Sequence, residues 1–212
     1  MKSDTPVSDF TPKTVALVMA AGQSRRFGSD DKRKARLAGQ QGLLAVSYQR
    51  IAGVFPRTRL VLQWGELPDS FGLPAVTPVI VAAHARHGLG ASLADAFRAL
   101  ASDATLADVD AAAVCLGDMP LITSATLTTL AQSSDADTIT RPVHQGSPGH
   151  PVIIGRRFWS EMATLTGDDG GKHLLQHNRQ YLRLIPVTDP GVLADADTPE
   201  QLRNLTLTSG LY

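Results

Sequence analysis

The feature that most restricts what this chain can fold into is a set of short, wholly apolar runs that end abruptly in small or acidic residues. Val15-Ala16-Leu17-Val18-Met19-Ala20 leads straight into Ala21-Gly22, and Ala111-Ala112-Ala113-Val114-Cys115-Leu116 into Gly117-Asp118. Runs of this length with no polar face read as strands buried on both sides, the mark of a parallel sheet covered by helices. Further strands are predicted at Arg59–Trp64 and Val79–Ala82. Helices alternate with them. One spans Gly42–Val54, with Leu43, Leu44, Val46, Tyr48 and Ile51 on its apolar face, and one is the Ala- and Leu-rich stretch Gly90–Ala101. Another runs from about Ser124 to Gln132, capped by Thr123 or Ser124. Such alternation predicts an α/β sandwich of three layers, its sheet mostly parallel, with ligands at the carboxyl ends of the strands.

The second half is less regular. Strands are predicted at Asp137–Arg141, Pro151–Ile154 and Leu182–Val187, with helices at Arg156–Leu165 and Lys172–Asn178. Loops are expected at Pro142–Gly149, rich in Gly, Pro and His, and at Thr166–Gly171. Thr198 and Pro199 open a final helix as cap and first turn. The 212 residues are read as a single domain: a loose leader at 1–13, a first part at 14–135 and a second at 136–212.

Bulk properties exclude several classes. Lys plus Arg and Asp plus Glu are both 20, so no net charge draws the chain broadly to nucleic acid or to an anionic membrane. Cys115 is the lone cysteine, which rules out an internal disulfide or a thiolate zinc cluster and fits a reducing compartment. No apolar run approaches the ~20 residues of a membrane helix. Met1–Lys13 is polar, holds two prolines and lacks the apolar segment of a signal peptide. The expected location is therefore cytoplasmic.

Three motifs sit just after a strand or just before a helix. In Ala20-Ala21-Gly22-Gln23-Ser24-Arg25-Arg26-Phe27-Gly28, small residues let backbone N–H groups approach an anion closely. Arg25 and Arg26 add charge suited to phosphate, and Lys32 and Lys34 follow. The guest expected here is a polyanion. An ordinary strand-to-helix turn with solvated charges would carry the same glycines, and neither the Walker nor the dinucleotide spacing is present. Gly117-Asp118-Met119-Pro120 places a hard carboxylate at the ligand edge, suited to Mg²⁺. Gly88-Leu89-Gly90-Ala91-Ser92-Leu93 opens a helix, where Ser92 would otherwise be a plain cap.

The run Met19–Gly28 followed by Asp31-Lys32 resembles the signature loop of the nucleotidyltransferases related to the molybdenum cofactor guanylyl- and cytidylyltransferases. Phe27 stands where that family has Met, and Lys32 is the match to the family lysine, with Lys34 as the alternative. The resemblance continues in order through Gly88–Leu93, Gly117–Pro120, Gly146-Ser147-Pro148-Gly149-His150-Pro151, Gly167-Asp168-Asp169-Gly170-Gly171-Lys172 and Asp195-Ala196-Asp197-Thr198-Pro199-Glu200. It spans about residues 15 to 203, and six modest motifs in the right order are specific together.

The resemblance implies a Rossmann-like fold with a small acceptor-binding extension in the second part. It implies transfer of a nucleoside monophosphate from CTP or GTP to a phosphorylated acceptor such as molybdopterin, with Mg²⁺ as cofactor. It makes Arg26 and Lys32 catalytic. Ala20, Ala21, Gly22, Ser24, Arg25, Gly90, Ser92 and Asp118 become nucleotide-binding. Asp118 holds the metal with Asp195 or Asp197, and Gly149, His150, Asp168 and Gly170 face the acceptor, with Lys172 or His173 able to add charge. Gly171-Lys172 replaces the Ala-Arg of the cytidylyltransferase branch, and Leu89 a Met. These departures bear on base and acceptor, where CTP and molybdopterin are favoured over GTP, sugar phosphates and methylerythritol phosphate. An apo-molybdoenzyme is an expected downstream partner. The rival reading is a non-catalytic protein that carries the cofactor.

Overall fold

The computed structural model describes residues 12–22, 31–36, 41–168, 170–196 and 201. The first apolar run forms β1 (Thr14–Met19), buried along its whole length. It pairs in parallel with β2 (Thr58–Gln63) on one side and β4 (Ala111–Leu116) on the other, while β3 (Val79–Ala82) extends the sheet beyond β2. The expected helices form as α1 (Leu43–Ala52), α2 (Leu89–Ser102) and α3 (Ser124–Gln132). Thr123 is the α3 cap, its hydroxyl accepting from the Thr126 N–H at 3.3 Å.

Period-2 alternation in β1 divides the core. Val15, Leu17 and Met19 face Leu93, Ala96, Phe97 and Leu100 of α2. Ala16, Val18 and Ala20 face Leu44, Ala45 and Ile51 of α1 and Leu127, Leu130 and Ala131 of α3. The sheet is thus clothed on both faces, as the polar-free runs require. Cys115 lies in this core, and burial pushes its thiol up to about 12, so it is inert at neutral pH. No helix among the described residues is long and apolar enough to cross a membrane.

The eight-stranded sheet runs β3-β2-β1-β4-β7-β5-β6, with β8 pairing β5. Here β5 is Ile139–His144, β6 Ser147–Pro148, β7 Val152–Gly155 and β8 Leu182–Pro186. β7 runs antiparallel to β4 and β5 antiparallel to β7. This reversal brings the start of β7 and the end of β5 to the same edge as the carboxyl ends of β1 and β4.

Two local expectations are corrected. Pro142–Gly149 is a hairpin rather than a loop: β5 continues through Pro142 to His144 and turns back as β6. Gln145 and Gly146 both adopt positive φ, 49° and 81°, the two-residue turn whose twist matches paired strands. Arg156–Leu165 is not a continuous helix. A 3₁₀ turn at Arg156–Phe158 precedes the four-residue α4 (Trp159–Met162), and the Trp159 indole donates to the Ile154 carbonyl at 3.1 Å. α5 (Lys172–His177) ends one residue before the expected bound. The final helix opened by Thr198 and Pro199 lies outside the described residues, as does residues 1–11 of the leader.

Candidate active site

The strand order reverses between β1 and β4: from β1 the chain moves outward to β2 and β3, then returns to β4 on the other side. A crevice opens at the carboxyl ends of two strands whose connections leave in opposite directions. Gly117 follows β4 here and its N–H donates to the Met19 carbonyl at 3.0 Å. A Cβ at Gly117 would lie 3.1 Å from the Met19 carbonyl oxygen and 2.7 Å from Leu44 Cδ1 of α1, so a side chain there would press on both. The next residue is Asp118.

Lys32 reaches it from the other lip. Lys32–Lys34 form one 3₁₀ turn, begun by Asp31, whose carboxylate accepts from the Arg33 N–H at 3.0 Å. At about 120° per residue the three side chains diverge. Lys32 Nζ donates to Asp118 Oδ2 at 2.6 Å, with side chains 17% and 19% exposed. Lys34 is exposed, its ammonium 5.5 Å from the Phe71 ring. Of the two candidate lysines, Lys32 is the one that meets Asp118.

Arg33 anchors this turn, and the motifs gave no sign of it. Its guanidinium forks onto Glu66 at 2.9 and 2.6 Å, bonds Asp31 at 2.9 and 2.8 Å, and donates to the Ala20 carbonyl at 2.6 Å. It also stacks over Phe71 at 4.5 Å. Burial opposes its charge, but Asp31 and Glu66 outweigh that and raise its pKa. One side chain thus ties the Lys32 turn to the ends of β1 and β2. A pairing across 33 residues leaves no local trace in a sequence.

On the far side of β1, the nucleotide motif and an acceptor motif touch. The Gly90 N–H donates to the Gly167 carbonyl at 2.8 Å and the Leu89 N–H to Asp168 Oδ1 at 3.3 Å. A Cβ on Gly90 would meet the Thr166 carbonyl oxygen at 2.6 Å. Gly88 has φ +108° and lies against Asp168 itself. Gly170, φ +55°, faces the Leu89 side chain. Ser92 is buried inside α2 and returns its hydroxyl to the Gly88 carbonyl at 3.2 Å, so it is neither a cap nor turned outward.

The other acceptor motif lies beyond β4. The Gly149 N–H donates to the Pro142 carbonyl at 2.8 Å and the His150 N–H to the Val192 carbonyl at 2.9 Å. Gly149 packs directly on Val192, leaving no space for a side chain. Four residues after Val192, the Ala196 N–H donates to the Asp118 carbonyl at 3.2 Å. The thread 192–196 therefore joins the His150 loop to Asp118 and carries Asp195 beside it. His150 is held down to about 4 by burial and by the Arg141 charge, against a smaller opposing pull from Asp118. It is a neutral imidazole at pH 7, and its Nδ1 is buried with no partner among the described residues.

The structure thus brings Ala20, Ala21, Gly22, Lys32, Asp118, Asp195 and His150 to one edge, with Gly88–Ser92 meeting Asp168 and Gly170 on the α2 side. Ser24, Arg25, Arg26, Asp169 and Asp197 lie outside the described residues.

Among curated proteins none matches the sequence. Solved structures do. Rv0371c of Mycobacterium tuberculosis H37Rv is 26% identical, covers 94% of this chain and 100% of its own, and superposes with a TM-score of 0.77. The same protein has been solved in complex with manganese. A nucleotidyl transferase from Methanothermobacter thermautotroptrophicus is 17% identical with a TM-score of 0.74, over 91% of this chain and 95% of that one. Molybdopterin-guanine dinucleotide biosynthesis protein A from Archaeoglobus fulgidus is 17% identical with a TM-score of 0.63, over 92% and 97%. The MobA-like NTP transferase domain matches residues 16–183, from within β1 to the start of β8. A Rossmann-like α/β sheet, a switch-point crevice and that match make this chain a nucleotidyltransferase, a member of the MobA-like NTP transferase family.

Proposed function

We propose that the chain transfers CMP from CTP to the phosphate of a molybdopterin-type acceptor, with Mg²⁺, and releases pyrophosphate. The observation that carries this reading is the Lys32–Asp118 contact at 2.6 Å, closed across the crevice beside Ala20-Ala21-Gly22. A cation and a carboxylate that meet at the strand ends, next to a turn of small residues, suit a triphosphate and its counter-ion.

An acceptor phosphate oxygen attacks the α-phosphorus. The bond from that phosphorus to the bridging oxygen breaks, and pyrophosphate leaves with the electron pair. The attacking phosphate is already anionic, so positioning and charge neutralisation suffice without a strong base. Backbone N–H groups near Gly22, with Arg25, Arg26 and Lys32, hold the triphosphate. Ser24, Gly90 and Ser92 belong to the nucleotide side by their motifs, and Gly149, His150, Asp168 and Gly170 to the acceptor side.

Asp118, with Asp195 or Asp197, is the donor set for the divalent ion. Two features support the fit: Asp118 already attracts the Lys32 ammonium, and the Ala196–Asp118 bond brings Asp195 alongside. Among the described residues no group of three or more His, Cys, Asp or Glu is set to hold a metal. Mg²⁺ suits such a site, because it binds through one or two carboxylates and takes its other oxygens from phosphate and water. When bound, the ion neutralises charge on the triphosphate oxygens.

The test is pyrophosphate release from CTP, GTP and UTP, each offered molybdopterin and sugar phosphates with Mg²⁺. Turnover is expected with CTP and molybdopterin and is expected to vanish in Asp118→Ala while the melting temperature holds. Turnover with GTP instead reassigns the base, and turnover with a sugar phosphate the acceptor. Full activity in Asp118→Ala would overturn the site. A cofactor carrier would show no metal-dependent stabilisation by any triphosphate.

A further inference from the structure

Three of the half-buried arginines among the described residues answer to a carboxylate: Arg33 to Asp31 and Glu66, Arg57 to Asp108 and Arg59 to Asp103. Arg50, Arg141 and Arg156 bond backbone carbonyls instead, Arg50 through one contact at 3.5 Å. The Arg141 Nε donates to the Gly149 carbonyl at 2.8 Å and one terminal nitrogen to the Pro148 carbonyl at 3.2 Å. Burial lowers its pKa, and no carboxylate among the described residues offsets that. Arg156 is also bonded to backbone carbonyls, but the Trp159 ring covers its guanidinium at 4.5 Å, at the opposite end of β4. A half-buried guanidinium with no counter-charge is costly unless an anion completes it. Two carbonyl bonds occupy part of its five-donor fork and leave the rest for such an anion.

Its place in the sheet says which anion. Arg141 lies on β5, next to Thr140, which pairs with Ile153 near the start of β7, while Val152 of β7 pairs with Val114 near the end of β4. Along this edge the order is Gly22 after β1, Asp118 after β4, His150 before β7 and Arg141 on β5. His150 feels the charges of both Arg141 and Asp118, so it lies near both. Strands are ~4.8 Å apart, so Arg141 lies roughly three strand spacings from the Gly22 turn. An in-line displacement needs the attacking phosphate on the side of the α-phosphorus away from the leaving pyrophosphate. With the triphosphate at Gly22 and Lys32, as proposed above, His150 and Arg141 are the next groups along this edge beyond Asp118 and are free to receive the attacking phosphate.

We infer that Arg141, with the neighbouring His150 ring, forms the docking site for the acceptor's phosphomonoester. Arg141 supplies the charge and a planar fork suited to two phosphate oxygens. His150 adds a neutral hydrogen-bonding group, consistent with its buried, unpartnered Nδ1. The inference rests on the nucleotidyl-transfer geometry proposed above.

The probe is inorganic phosphate, titrated by thermal shift against the wild type, Arg141→Gln and Arg141→Lys, in parallel with CTP, GTP and UTP plus Mg²⁺. Phosphate is expected to stabilise the wild type, to bind at least tenfold more weakly to Arg141→Gln and severalfold more weakly to Arg141→Lys. Stabilisation by triphosphate is expected to be equal in all three. Equal phosphate affinity in wild type and variants, or a wild type indifferent to phosphate, overturns the site. So does loss of the triphosphate response in Arg141→Gln, which would hand Arg141 to the nucleotide. Should Arg141→Gln not fold, unchanged phosphate affinity in Arg141→Lys overturns it. If no triphosphate acts on any chain while the phosphate response depends on Arg141, the anion site stands and the CTP-dependent reading fails.

Discussion

His150 makes the acid stability of this protein calculable. Its pKa is about 4 in the folded chain against an ordinary 6.5, because burial and the Arg141 charge oppose the imidazolium. A base with a depressed folded pKa favours folding while it is neutral in both states. That advantage is complete above the unfolded value and is lost as pH falls from 6.5 towards 4, where the unfolded chain takes up a proton that the folded chain refuses. The full difference is about 3 kcal/mol, at 1.36 kcal/mol per pH unit. Between pH 7 and pH 5 the linkage relation gives about 2 kcal/mol. For a chain of this size that corresponds to a fall in Tm of roughly 4–8 °C. The assay is a pair of thermal melts at pH 7 and pH 5 on the wild type and on His150→Gln, which cannot titrate. The variant is expected to lose most of this pH sensitivity. The carboxylates whose pKa values are lowered change state only near or below 3.8, so they contribute equally to both proteins at pH 5. Equal falls in the two proteins would refute the claim that His150 is buried neutral beside Arg141.

Three further outcomes follow from the same geometry. Lys32→Ala is expected to lower turnover by ~100- to 1000-fold, as for loss of one group that stabilises transition-state charge, while Lys34→Ala stays within a few-fold; steady-state pyrophosphate release compares them, and the reverse ranking removes Lys32 from the site. Arg33→Met leaves Asp31, Glu66 and the Ala20 carbonyl without their shared cation and is expected to destabilise the fold by about 3 kcal/mol, read by denaturant unfolding. Gly90→Ala sets a methyl against the Thr166 carbonyl and is expected to cost roughly 1–3 kcal/mol, with a Tm loss that checks it and with weaker acceptor use, because the 166–168 loop must move.

The first half of the fold was legible because its signals are local. Val15–Ala20 and Ala111–Leu116 contain no polar face, and a strand buried on both sides has few alternatives. Helices α1, α2 and α3 came within a residue or two of their expected bounds for the same reason. The second half failed where local chemistry misleads. Gly, Pro and His at 142–149 read as loop, yet Gln145-Gly146 closes a two-residue turn and Pro142 sits in β5 opposite Ile185 of β8. The apolar character of 156–165 suggested one helix, but Phe158 and Trp159 are buried by a tightened turn instead.

The site divides along the same line. Motifs pointed to Lys32, Asp118, His150 and Asp168 because each follows or precedes an element that its own neighbours announce. They could not separate Lys32 from Lys34, since both occupy one 3₁₀ turn and only its anchoring by Arg33 decides which way each side chain leaves. They could not find Arg33 or Arg141 at all. Arg33 matters through carboxylates 2 and 33 residues away, Arg141 through the lack of any, and both facts exist only once β1, β2, β5 and β7 lie side by side. Residues that touch a polyphosphate must lie on short turns at strand ends, where spacing is informative. Residues that aim those turns are free to come from anywhere the sheet brings close, so the pairing of the arginines has to be read from the structure.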